Sequence, residues 1–262
     1  MARKIVVTSG KGGVGKTTVT ANLGLALSDF GYRVVLIDVD FGLNNLDIAL
    51  GVDDKVVYDI GDVVNGCCRL KQALVQHNEN KNLYVLPSGS LDACSNITGQ
   101  NIKLLIESVS SVFDFVIIDC PAGIDIGFHR AVSCCDEAIV VVTPNMASIK
   151  DAYKVINVLK SYKLNSVSVV VNRVRGDLIM DKKMMMPIDI VDALQTELLG
   201  VLPEEDEVFL SCGGRLQKRS ASSKAYKVLA SNLNYENKKM FDVVSKYSGF
   251  FGSIRRGIKK GI

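Results

Sequence analysis

The residues whose types and spacing could do chemistry begin at Gly10. Gly10-Lys11-Gly12-Gly13-Val14-Gly15-Lys16-Thr17-Thr18 fits G-x-x-x-x-G-K-[ST], the pattern of a phosphate-binding loop. Glycines let successive backbone N–H groups converge on phosphate oxygens with no Cβ in the way. Lys16 supplies a point charge to β- and γ-phosphates, the Thr17 hydroxyl suits Mg²⁺, and Thr18 suits an α-phosphate. Lys11 stands at a position the general pattern leaves open, and from the same side it does not easily serve the phosphate that Lys16 holds.

Two acidic groups belong on the same rim. One apolar run ends Ile37-Asp38-Val39-Asp40; another, Phe115-Val116-Ile117-Ile118, ends in Asp119. Ligands of open α/β sheets sit at the carboxyl ends of the strands, so these acids arrive beside the phosphate loop. Alternation along a strand places Asp38 and Asp40 on one side. Two carboxylates beside a triphosphate repel it unless a cation or water intervenes. Asp38 is therefore assigned to a metal-bound water and Asp40 to orienting the attacking water. Four apolar residues and an Asp form a Walker B pattern, in which Asp119 holds Mg²⁺ through water. Pro121 and Gly123 make a turn able to respond to a γ-phosphate. Either Asp alone reads more simply as a cap or turn residue; the phosphate loop favours the catalytic reading.

The base end of such a nucleotide is sought at two other strand ends. Asn172-Arg173 follows one, and an Asn amide offers the donor and the acceptor that an adenine edge requires. Pro203-Glu204-Glu205 follows the other. Ordinary turn residues are the competing reading at both. No N-K-x-D guanine signature occurs, which favours ATP over GTP, and there is no convincing G-x-G-x-x-G dinucleotide fingerprint.

Positioning these groups requires strands that end on one rim. β-branched runs at 5–8, 33–38, 83–86, 115–119, 138–143, 167–171 and 199–202 read as strands. Helical spacing appears at 17–30 (Val19, Leu23, Ala26, Leu27), 101–112, 148–162 and 188–199. Apolar strands alternating with helices predict an α/β fold, a mostly parallel sheet with helices on both faces.

Composition narrows the class. Of 262 residues, 48% are hydrophobic and only 5 are proline, which excludes a wholly disordered, collagenous or Pro-rich chain. Lys and Arg number 31 against 28 Asp and Glu, so no global polycation is offered to nucleic acid. The 7 cysteines are odd in number and form no C-x-x-C, which suits reduced, buried thiols better than disulfides or zinc. The basic start, Met1 to Lys4, precedes an apolar run too short for a signal peptide, and no run reaches the ~18 apolar residues of a spanning helix. The expected location is cytoplasmic, or peripheral on the inner face of a membrane. One domain is expected over 1–246, with 247–262 set apart.

The run Lys11 to Thr18, K-G-G-x-G-K-T-T, resembles the deviant Walker A ATPases, P-loop NTPases that include the MinD and ParA proteins and the nitrogenase iron protein. LIDVDFGLNNLDIALGVDDKVVYD, FVIIDCPAGID, DEAIVVVTPN, VNRVRGD and IVDALQTELLGVLPEEDEV extend the likeness to about Ser211, closest to the MinD family of division-site ATPases. Asp38-x-Asp40-x-Gly42-Leu43-x-Asn45-Leu46-Asp47 sets it apart from the partition relatives. The resemblance implies an Mg²⁺-dependent ATPase that dimerises with ATP, with Lys11 crossing into the nucleotide of the second subunit. It also implies a MinC-like septum inhibitor bound near Asp151 and a topological regulator of the MinE or DivIVA type. From 212 the likeness weakens, since Cys212-Gly213-Gly214-Arg215-Leu216-Gln217 stands where the family has an N-x-G-E-P-like stretch. A ParA-like partition ATPase is the alternative, but it would need a basic face on the folded body. An iron–sulfur reductase would need paired cysteines near the dimer face and soon after Asp119.

The last residues carry a separate signal. At helical spacing Phe250, Phe251, Ile254, Ile258 and Ile262 share one side, opposite Arg255, Arg256, Lys259 and Lys260. A basic amphipathic segment of this kind reads as an anchor for an anionic membrane surface. Its glycines disfavour helix by about 1 kcal/mol each, so the helix is expected only where the apolar face is buried. A terminal helix docked on the core and a nucleic-acid tail are the weaker readings.

Overall fold

The structure, a computed structural model, describes residues 2–42, 45–92, 94, 97–210, 216–217, 219–249 and 252–253. Of the expected membrane segment at 247–262, only 247–249, 252 and 253 are therefore among the described residues.

Among the described residues, the chain begins β1 (Arg3–Thr8), α1 (Lys16–Asp29), β2 (Val34–Asp38), α2 (Leu46–Leu50), α3 (Ile60–Val64), α4 (Leu70–Ala73). It continues β3 (Val75–Gln76), β4 (Leu83–Leu86), α5 (Gly99–Val109), β5 (Phe115–Asp119), α6 (Ile126–Val132), β6 (Glu137–Val142), α7 (Met146–Leu159). The last elements are β7 (Ser166–Val174), α8 (Gly176–Met180), α9 (Pro187–Leu194), β8 (Glu197–Pro203), α10 (Asp206–Leu210) and α11 (Ala221–Tyr235). The strands form one sheet in the order β3-β4-β2-β5-β1-β6-β7-β8. Every pairing is parallel except β3 with β4.

Alternation sorts the strand residues into two cores, because successive side chains leave a strand on opposite faces. Ile5, Val7, Leu36, Ile117 and Val141 pack with α1 and α11. Val6, Ile37, Val116, Ile118 and Val140 pack with α5, α6, α7 and α9. Both faces are thus covered, as a parallel sheet requires. Helix α1 is buried on most sides because it lies between the sheet and α11; Val19, Leu23, Ala26 and Leu27 are all buried.

Most expected boundaries shift by a few residues, and some shifts matter for the site. The helix expected at 188–199 stops at Leu194, where Gln195 turns left-handed (φ 52°) and the chain re-enters the sheet as β8. Strand β7 runs past 171 to Val174, so Asn172 and Arg173 lie within it, at an irregularity in its pairing with β8. Helix α11 was not expected; Ser220 caps it by accepting from the Ser223 N–H. Tyr247, placed in the tail by sequence, is buried together with Val243. Gly176, the first residue of α8, is required there: a Cβ would lie 1.8 Å from the Val243 carbonyl oxygen. The six described cysteines are free thiols, of which Cys67 is exposed and Cys68 half-buried, against the expectation of uniformly buried ones.

Candidate nucleotide site

The phosphate loop leaves β1 at the centre of the sheet and enters α1, whose N-terminal amides point back toward it. Its two fixed glycines have separate reasons. Gly10 lies against α7, where a Cβ would fall 2.3 Å from the Asp151 backbone carbonyl. Gly15 is left-handed (φ 97°) and is the residue that opens α1. Between them, Gly12 and Gly13 have nothing within 4 Å of where a Cβ would stand, so the corner of the loop is open. Lys16 is buried, 8% exposed, whereas Lys11 is exposed on the loop. Thr17 and Thr18 are half-buried in the first turn of α1.

The acids arrive by register. Asp38 and Asp119 are Cα partners on adjacent strands, and Val7 is the partner of Asp119 on the other side. Both carboxyls are 1% exposed. Burial, and then the neighbouring Asp119, push Asp38 up from the usual carboxylate range. Burial pushes Asp119 up too, against hydrogen bonds from Thr17 and Thr20 and the charge of Lys16. The Thr20 hydroxyl donates to Asp119 Oδ1 at 3.2 Å.

Asp40 lies past the end of the strand, so a turn and not strand alternation sets its place beside Asp38. Strand β2 ends at Asp38, and the chain turns so that the Asp40 N–H donates to Asp38 Oδ1 at 2.9 Å. The Leu46 N–H at the start of α2 donates to Asp38 Oδ2. Asp38 is thus a buried turn-and-cap acceptor as well as a rim carboxylate. Asp40 remains half-exposed; burial raises its pKa, the charge of Lys16 lowers it, and Asp125 raises it. The turn after β5 is tied to the loop, with the Gly123 N–H donating to the Ser9 carbonyl at 3.0 Å.

These residues fit Mg²⁺. Two buried carboxylates side by side raise each other's pKa unless a cation sits near them, and with the Thr17 hydroxyl they offer only oxygen, the donor that hard cations take. No group of three or more His, Cys, Asp or Glu that could hold a metal occurs among the described residues. A cation here would draw its remaining ligands from phosphate and water, as Mg²⁺ does.

The base-end residues are differently placed. Asn172 is 8% exposed and donates from Nδ2 to the Val14 carbonyl at 2.8 Å. Its Oδ1 accepts from the Arg173 N–H, and Arg173 is left-handed (φ 57°) with its side chain exposed. Pro203 ends β8, buried, while Glu204 is exposed. Glu205 turns away to accept from the Ser222 N–H at the start of α11. Asp151 lies on α7 and pairs with Lys154 at 3.1 Å.

The CobQ/CobB/MinD/ParA nucleotide binding domain family matches residues 5–215. The septum site-determining protein MinD of Synechocystis sp. is 40% identical over 266 residues, which span all of both chains. The chain belongs to the MinD family. By that membership it is a cell-division ATPase. Its fold superposes with a TM-score of 0.84 on a chain of the MinC:MinD cell division protein complex of Aquifex aeolicus, at 38% identity over 91% of this chain and 98% of that one. The septum site-determining protein MinD of Pyrococcus horikoshii, solved with Mg-ADP, gives 0.81 at 31% identity over 91% of this chain and all of the other. No described helix is long and apolar enough to cross a membrane.

Proposed function

We propose that the chain is an Mg-ATP-driven dimerisation switch that binds the inner membrane surface in its ATP state and there recruits a MinC-like septum inhibitor. The observation that carries this reading is the split between the two loop lysines. Lys16 is buried at the start of α1, among Asp40 and Asp119, where a β/γ-phosphate would meet it. Lys11 is exposed on the same loop, free to reach a nucleotide in a second copy.

In this reading the backbone amides of 10–18 bind the phosphates, and Lys16 holds the γ-phosphate. Thr17, Asp38 and Asp119 would hold Mg²⁺, which would supply charge neutralisation at the phosphates. Asp40, half-exposed beside Lys16, orients the attacking water. Arg173, Pro203 and Glu204 would meet the base end, and Glu205 would support it from its bond to the start of α11. The turn at Gly123, bonded to Ser9, transmits loss of the γ-phosphate to the dimer face. Phe250, Phe251, Ile254, Arg255, Arg256, Ile258, Lys259 and Lys260 form the anchor. Two tails on one dimer raise the effective concentration of a weak anchor. Asp151, whose backbone lies against Gly10, is the partner contact on α7. A MinE- or DivIVA-type protein would regulate where the dimer acts.

Sedimentation with anionic liposomes tests this. Mg-ATP should bring the protein down with the lipid and Mg-ADP should leave it in solution. Equal sedimentation with both nucleotides would overturn the switch.

A further inference from the structure

Helix α1 buries Val19, Leu23, Ala26 and Leu27, and beside these apolar side chains it also buries Thr20. Thr20 is 0% exposed, at a place where valine would fill nearly the same volume with no polar group to satisfy. A threonine hydroxyl has a single proton to give. Thr20 gives it to Asp119 Oδ1 at 3.2 Å, from α1 across to the end of β5, on an acid 99 residues further along the chain. Thr17 stands one turn before it on α1 and also bonds Asp119, while the charge of Lys16 acts on the same carboxyl. Those two have other work in the nucleotide-bound protein as read above, Lys16 at the phosphates and Thr17 at the cation. Thr20, one turn deeper in the helix, is left to Asp119.

We infer that Thr20 is a positioning residue for Asp119: its hydroxyl holds the carboxylate at the end of β5 in the orientation in which it serves Mg²⁺. The inference rests on the reading of Thr17, Asp38 and Asp119 as the residues of the cation. A carboxylate that serves a metal is itself held by hydrogen bonds, and losing such a partner typically costs 10–100-fold in metal affinity, roughly. Thr20 acts through Asp119, so it sets how much Mg²⁺ the site needs. Nucleotide binding without metal, which uses the loop amides and Lys16, does not depend on it.

The experiment measures the affinity of the full chain for ADP by calorimetry, first in EDTA and then over a series of free Mg²⁺ concentrations. It compares wild type with Thr20→Val, which keeps the shape and removes the hydroxyl, and with Thr20→Ser, which keeps the hydroxyl and removes the methyl. Thr20→Ala takes the place of Thr20→Val should that variant fail to fold, and melting curves monitor all of them. The expected result is that Thr20→Val needs about tenfold more Mg²⁺ to reach half of the metal-dependent gain in ADP affinity. Its affinity in EDTA should stay at the wild-type value, and Thr20→Ser should match wild type in both conditions. Asp119→Asn should raise the Mg²⁺ requirement as well, and adding Thr20→Val to it should raise it no further, because the hydroxyl acts through the carboxylate. An unchanged requirement in Thr20→Val, an equal loss of affinity in EDTA, a Ser variant as impaired as the Val variant, or additive effects in the double variant overturns the inference. Wild-type ADP affinity that does not respond to Mg²⁺ would sink the reading of the cation residues and the inference with it, a result distinct from those patterns.

Discussion

Asp38 and Asp119 end adjacent parallel strands as Cα partners, each 1% exposed. Without a cation the arrangement is unfavourable, because both carboxyls are desolvated, Asp119 raises the cost of ionising Asp38, and Asp40 raises that of Asp119. Such a pair is retained for what it binds, not for what it adds to the fold.

Asp119→Asn should therefore stabilise the nucleotide-free protein while abolishing most of its ATP hydrolysis. The expected gain is about 1–2 kcal/mol, a rise of a few degrees in melting midpoint. The pH dependence has a definite sign. A carboxyl whose pKa is raised by folding binds more protons in the folded state, so its contribution is full below the unfolded value of 3.8 and is lost as pH rises toward neutrality. The advantage of the variant should grow between about pH 5 and about pH 8. Melting curves across that range check it, and a variant less stable than wild type throughout would contradict the account.

Lys16→Ala should abolish ATP binding. The buried ammonium stands beside Asp40 and Asp119, and no other described lysine of the loop is buried there. Calorimetry reads this directly, and unchanged affinity would remove the phosphate-loop assignment.

Gly10→Ala and Gly12→Ala should differ in stability although they are two residues apart. The first pushes a Cβ to 2.3 Å from the Asp151 backbone, so the loop or α7 must move. The cost expected is about 1–3 kcal/mol. The second meets nothing within 4 Å. Equal melting midpoints would show that the seat of the loop on α7 is softer than its geometry implies.

Ile258→Glu, or deletion of 250–262, should release the protein from anionic liposomes and leave ATP hydrolysis in solution unchanged. Burying a large apolar side chain contributes about 1.5–3 kcal/mol, while ordering the backbone costs about 1–2 kcal/mol per residue. One tail is thus close to balance, and a charge on its apolar face tips it. Basic residues near anionic lipid add about 1 kcal/mol each, so wild-type binding should fall with salt. A variant that still sediments in ATP as wild type does would show that the tail is not the anchor.

What was legible in the sequence follows from how far apart the interacting residues lie. The phosphate loop and the strand-end acids are local patterns, and the parallel register brings them together as alternation and strand order require. The separate environments of Asp38 and Asp40 were not legible, since they depend on a turn that folds the Asp40 amide onto the Asp38 carboxylate. The end of α9 carries no glycine: a left-handed Gln195 makes the break, and the apolar run into β8 disguised it. Helix α11 did leave a trace, in the Ser220 cap and in Tyr226, Leu229 and Leu233 at helical spacing. The bond from Asn172 to Val14 could not have been found, because nothing in either segment names the other.

The measurement that tests the central claim most directly is mass in solution by light scattering, for wild type, Lys11→Ala and Asp40→Ala, each with Mg-ATP and with Mg-ADP. The account predicts that wild type dimerises with ATP and is monomeric with ADP. Asp40→Ala should give a more persistent ATP dimer, because the phosphate cradle remains while water orientation is lost. Lys11→Ala should bind ATP and stay monomeric. A Lys11→Ala protein that dimerises with ATP as wild type does would contradict the account.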